Sequence, residues 1–204
     1  MIVQKALRAA LLDKKAYDGV SDEPQPMIGA MAIVAVAAIA LGLGVSGEPL
    51  AGEEVEPVLI VALSLSTVLV GWGLWSASAW FVGTRVLGGA ATYRTLLRAI
   101  GLAYAPGVFM VLFTVPVAGP WVFFGTRVWM LAAATVGVRE TQSTGWGRAF
   151  GAALVGWWLS QFLFSSLMLP LGGDEAADGV PAPAEQSLDV GGHGLLDLFH
   201  GLDL

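Results

Sequence analysis

The residue whose type and setting could do chemistry is Arg127, which stands inside the apolar run WVFFGTRVW. A charge about two helical turns into such a run is costly to hold in lipid and commonly marks function. Two readings stay open. In one, the guanidinium meets a lipid phosphate, an anionic ligand or a subunit interface. In the other, it snorkels, or bonds backbone carbonyls freed near Pro106 or Pro116.

The other reactive side chains are poorly placed for catalysis. Ser64, Ser66, Ser78, Ser165 and Ser166 have no His or carboxylate within the apolar stretches to serve as a base, so a serine nucleophile would stay unactivated. His193 and His200 are seven residues apart and could share a helix face, but no third ligand accompanies them. A polar edge on a docking helix suits them better. Cysteine is absent, which removes disulfides, thiolate metal sites and thiol nucleophiles. GLGVSG at Gly42–Gly47 matches the dinucleotide fingerprint in letters only, because it ends an apolar helix and follows no strand. No enzyme activity and no cofactor are expected.

Recognition chemistry is better represented. Trp157 and Trp158 sit together in an apolar run, either as lipid-facing bulk and belt anchors or as lining for an interface with another membrane subunit, a pigment or a quinone. At the far end, Leu195, Leu196, Leu198, Phe199 and Leu202 recur at helical spacing within HGLLDLFHGLDL. That short amphipathic segment suits docking on a neighbour.

These residues must be positioned by membrane-embedded elements. The chain is 56% hydrophobic and 13% charged, against roughly 45–50% and roughly 25% in soluble domains. Bilayer lipid is the solvent that such a composition fits. Five apolar stretches approach the roughly 20 residues needed to cross it as helices, near 27–46, 57–82, 99–117, 120–138 and 149–171. The expected fold is therefore an all-α integral membrane protein, a five-transmembrane-helix bundle spanning residues 27–171. Pro116, Gly119 and Pro120 should turn the third and fourth spans into a tight hairpin, since one continuous helix would tolerate them badly.

Small residues recur every fourth position at Ala38, Gly42 and Ser46, at Ala103 and Gly107, and at Gly147 and Gly151. Such rows let helices approach closely in lipid. They are expected to pack the protein's own spans, with self-association as the alternative.

Residues 1–26 precede the first span as a cytoplasmic segment in which Ala6, Leu7, Ala10 and Leu11 recur among Lys5, Arg8, Lys14 and Lys15. A short helix on the inner membrane surface is the reading. Residues 172–191 form an acidic, Gly/Ala/Pro-rich linker that cannot build a core, and 192–204 form the docking segment. With five spans, nine of the ten basic residues fall on one side, which places the N-terminus inside and the C-terminus outside the cytoplasmic membrane. The net charge of -6 disfavours nucleic acid, whose phosphates require clustered Lys and Arg.

The order of spans and loops, with GGAATYRTLLRAIGLAYAPGVF, VPVAGPWVFFGTRVWMLAAATVGVRETQ and GWGRAFGAAL between Leu87 and Leu154, resembles the Yip1 family of five-span membrane proteins in its bacterial form. The matching features are Tyr104 and Pro106, the turn prolines Pro116 and Pro120, and Arg139 with Glu140. The resemblance implies a fold and a topology for residues 1–171. The Asp-Leu-Tyr-Gly-Pro-type motif of the eukaryotic trafficking branch is missing, so the resemblance does not extend to small-GTPase binding.

Three classes of function remain. The first is a non-enzymatic scaffold or assembly factor acting through helix packing and tail docking. An accessory subunit of a respiratory or photosynthetic membrane complex is the second, and a small-solute transporter the third. Membrane lipids and other integral membrane proteins are the expected partners.

Overall fold

The computed structural model describes residues 2–20, 27–46 and 55–168, which form helices and their connections with no strand among them. The helices are α1 (Ile2–Ala10), α2 (Ile28–Val45), α3 (Pro57–Phe81), α4 (Tyr93–Ala103), α5 (Gly119–Gln142) and α6 (Trp146–Met168). A π turn extends α3 over Val82–Val86, and a 3-10 helix, Ala105–Thr114, continues α4. α2, α3 with its π turn and α5 are each long and apolar enough to cross a membrane. α4 with Ala105–Thr114 supplies a fourth candidate span, bent by 43°.

The third span differs from its sequence reading in both start and shape. Its helix begins at Tyr93 rather than near Ala99, because the Thr92 hydroxyl accepts from the Thr95 amide at 3.3 Å and caps it. Arg94 and Arg98 lower the mean hydropathy of that first stretch, yet Leu96, Ala99 and Ile100 are buried. Periodicity, not average apolarity, carries the signal here. Pro106 cannot donate to the helical ladder and clashes with the carbonyl four residues back. The α-helix accordingly ends at Ala103 and the chain proceeds as a 3-10 helix.

That 3-10 helix lies against α2. A Cβ on Gly107 would come within 2.6 Å of the Ala37 methyl, and one on Gly42 within 2.7 Å of the Val61 backbone. Both belong to the small-residue rows, and both pack within the chain. Gly147 and Gly151 behave differently, with nothing within 4 Å of either added Cβ. Their row is not a close-contact surface of this chain.

Two tryptophans stitch the bundle together. The Trp72 indole donates to the Leu97 carbonyl and the Trp75 indole to the Ala153 carbonyl, each at 2.9 Å. α3 is thereby tied to α4 and to α6. Both rings are buried, so neither belongs to an interfacial belt.

The hairpin turn forms where the prolines require it, with the Gly119 amide donating to the Val115 carbonyl at 2.7 Å. Val117 sits at φ 66, an uncommon backbone state for a β-branched residue. Pro120 then occupies the first turn of α5, where its missing N–H costs nothing.

The N-terminal segment does more than rest on a surface. Ala9, Ala16, Tyr17 and Val20 form a small core with Ala99, Leu102 and Val136. The Trp129 indole donates to the Ala10 carbonyl at 2.6 Å and the Tyr17 hydroxyl to the Ala133 carbonyl at 2.8 Å. Gly137 makes room for the Tyr17 ring, which an added Cβ would approach to 2.7 Å.

Candidate functional site

Arg127 lies on the inward face of α5 with only 9% of its surface exposed. Its guanidinium donates to Gln161 Oε1 on α6 and lies over the Phe123 ring, 5.0 Å from the centroid. A cation over an aromatic face gains from the ring quadrupole, and more so away from water. Thus the side chain is turned into the helix bundle. The Gln161 amide and the Phe123 ring help to hold it in the bundle interior, the usual disposition of intramembrane charges that matter.

A small cavity adjoins it. Ala37 and Leu41 of α2, Thr67 of α3, Tyr104 at the break of the third span, Arg127 of α5 and Ser160 of α6 contribute to its wall. It leaves about 20 Å³ for the centre of a water-sized particle, against the roughly 10–15 Å³ that one water needs. Four span candidates and α6 therefore meet at a single polar point. The break at Pro106 places Tyr104 there, and its ring packs edge-on against Trp75 with centroids 5.8 Å apart.

The hydroxyls around this point are not equivalent. At the cavity wall Ser160 donates to the Trp157 carbonyl at 2.7 Å, as elsewhere in the bundle Ser76 does to Trp72 and Thr135 to Leu131, each at 2.8 Å. Such local bonds to the preceding turn leave a hydroxyl satisfied. Thr67 is the exception: it is 5% exposed and its Oγ1 has no hydrogen-bond partner. A buried hydroxyl left unsatisfied is costly, and this one lines the cavity.

The remaining sequence candidates separate. Trp157 packs partly buried against the core, whereas its neighbour Trp158 is 64% exposed. The adjacent pair therefore serves two faces of α6. Leu195, Leu196, Leu198, Phe199 and Leu202, with His193 and His200, lie outside the described residues. Among the described residues, no group of three or more His, Asp or Glu could hold a metal ion.

Sequence reasoning did not single out Thr67, Ser160 or Gln161, and it took Tyr104 only as a family feature. Gln161 had a readable signal, being the lone amide in the apolar run WWLSQFLF. A side-chain amide in lipid needs a partner on another helix. Gln142 was missed as well; it is buried beside Gly83 and Gly89, with its amide donating to the Ala79 carbonyl at 3.4 Å.

No curated protein and no solved structure gives a significant match to this chain. The profile of the Yip1 domain matches residues 11–169, a range that takes in α2–α6, the broken third span and the whole cavity lining. With well over half of its length matched, and with helices able to cross a membrane, this membrane protein belongs to the Yip1 domain family.

Proposed function

We propose that the chain is a non-enzymatic membrane scaffold or assembly factor. It crosses the bacterial cytoplasmic membrane five times, with the N-terminus inside and the C-terminus outside. In this reading α6 is the fifth span; its 23 residues reach about 34 Å at the helical rise, enough for the roughly 30 Å hydrocarbon core. Its partners are membrane lipids and other integral membrane proteins, and its tail docks through Leu195, Leu196, Leu198, Phe199 and Leu202.

The observation that supports this reading most directly is an outward ridge on α6. Val155, Trp158, Leu159 and Phe162 are all exposed, Phe162 by 72%, and they follow the three- and four-residue spacing of one helix face. A bulky aromatic ridge can fill a groove on a neighbouring membrane protein by shape, which is how helices associate in lipid. Scaffolding and service as an accessory subunit of a larger complex both use such a face.

Co-purification in a mild detergent tests it. A Trp158→Ala, Phe162→Ala double variant should lose a stoichiometric membrane partner, and deletion of His193–Leu204 should weaken the same association. An Ile39→Ala, Leu43→Ala control on the exposed face of α2 should retain it. Equal recovery from the ridge variant and the control would refute the scaffold reading.

A small-solute transporter is the second reading, favoured by the break of the third span beside buried Arg127. Broken helices around an intramembrane charge are a recurrent way to build a substrate site.

A further inference from the structure

We propose that the cavity between Thr67, Tyr104, Arg127 and Ser160 is a binding site for one small monovalent anion of halide size. Volume sets the first limit. The free space of about 20 Å³ admits one water-sized particle and excludes sulfate, phosphate or a carboxylate metabolite.

Polarity sets the second. The wall presents a guanidinium and the hydroxyls of Thr67 and Tyr104, groups able to donate hydrogen bonds, beside the Ser160 hydroxyl, whose proton goes to the Trp157 carbonyl. The Gln161 amide oxygen beside the guanidinium already accepts from it. The remaining walls are apolar, from Ala37, Leu41 and Met130 among others. They lower the local dielectric and strengthen attraction between Arg127 and an anion.

A third observation is independent of the arginine. Thr67 Oγ1 is buried, lines the cavity and has no partner in the protein. Its proton is available to whatever occupies the space. The third span breaks at this level, where Tyr104 accepts a backbone bond from Gly107 at 2.8 Å and the 3-10 helix begins. Irregular backbone inside a membrane protein is tolerated where it lines such a site.

The site goes beyond scaffolding, and it persists whether or not the protein has a macromolecular partner. A bound anion would lock α3, the third span, α5 and α6 to one another, because each contributes to the same wall.

The test uses the full chain in detergent, with unfolding followed by its intrinsic tryptophan fluorescence. Sodium chloride and sodium bromide are compared with sodium gluconate and sodium sulfate at matched ionic strength. Chloride and bromide should raise the melting temperature saturably, by a few degrees, while gluconate and sulfate should not. Thr67→Val preserves side-chain shape and removes the donor; it should abolish the halide-dependent rise while leaving the fold and the melting temperature in gluconate close to those of the parent. Arg127→Gln should abolish the rise too. Equal melting in chloride and gluconate, which would mean that a water fills the cavity, overturns the proposal. So does a sulfate effect as large as that of chloride, or a halide effect that survives in Thr67→Val.

Discussion

The Arg127 guanidinium hydrogen-bonds Gln161 Oε1 across the interface between α5 and α6, so a buried charged side chain faces into the bundle and is tied there to a neutral amide. A hydrogen bond to a charged group is worth about 1.5–3 kcal/mol, and removing its acceptor loses that benefit. Gln161→Leu should therefore destabilise the bundle by about that amount. Arg127→Leu should cost less, since an apolar replacement of similar bulk removes the buried charge altogether. The double variant Arg127→Leu, Gln161→Leu should be more stable than Gln161→Leu alone, a non-additivity that chemical unfolding can measure.

The N-terminal segment offers a separate handle through Tyr17, whose ring fits against Gly137. Gly137→Leu would drive that ring out and undo the small core formed with Ala9 and Val136. The segment should then become sensitive to protease at Lys14 and Lys15, with the membrane helices intact. An unchanged cleavage pattern would show that docking does not depend on this fit.

Burial also raises the Tyr17 hydroxyl well above its ordinary value. Tyr17 precedes the membrane-spanning helices, so bulk pH acts on it once the segment opens. The undocked segment ionises near the usual value of about 10, whereas the docked one keeps its proton. Docking is unaffected by this group at neutral pH and weakens as pH rises beyond about 10, because the undocked state binds fewer protons there. Tyr17→Phe should remove this alkaline loss of docking, at a cost near neutrality of about 1 kcal/mol for the bond to Ala133.

Topology provides the widest test. A reporter fused after Leu204 should be active outside, and one placed within Arg139–Gly147 inside. An inward C-terminus would overturn the five-span arrangement and force α6 out of the membrane.

The sequence readings succeeded and failed for physical reasons that particular residues expose. α2 and α3 are apolar all round, so average hydropathy found them; α4 begins with TYRTLLR, where two arginines hide a buried face and only helical spacing reveals it. Arg127 was conspicuous because charge is rare in lipid. Thr67 and Ser160 were not, since a hydroxyl is legible in sequence but its backbone partner is not. Trp72 and Trp75 drew no reading, since the carbonyls on α4 and α6 that receive their indoles are announced by no local pattern. The small-residue rows were right at Gly42 and Gly107 and uninformative at Gly147 and Gly151, because spacing marks a possible approach and the fold decides which face is used.

Glycine replacement on α6 separates those cases. Gly156 stands against α3, where an added Cβ would lie 2.5 Å from Trp75 Cδ1 and 2.6 Å from its carbonyl oxygen. The neighbouring backbone cannot yield as a flexible side chain would, and the Trp75 indole is held by its bond to Ala153. Overpacking of this kind costs about 1–3 kcal/mol, so Gly156→Ala should lower the unfolding midpoint and loosen α3 from α6. Gly151, one turn and a little more toward the start of the same helix, has open space around it. There an alanine meets nothing and improves helix propensity by up to about 1 kcal/mol. Gly151→Ala should thus leave stability unchanged or raise it. If the two substitutions proved equally damaging, Gly151 would face a contact outside this chain, and self-association through the Gly147–Gly151 row would become the better account; measuring the oligomeric state of Gly151→Ala would decide that point.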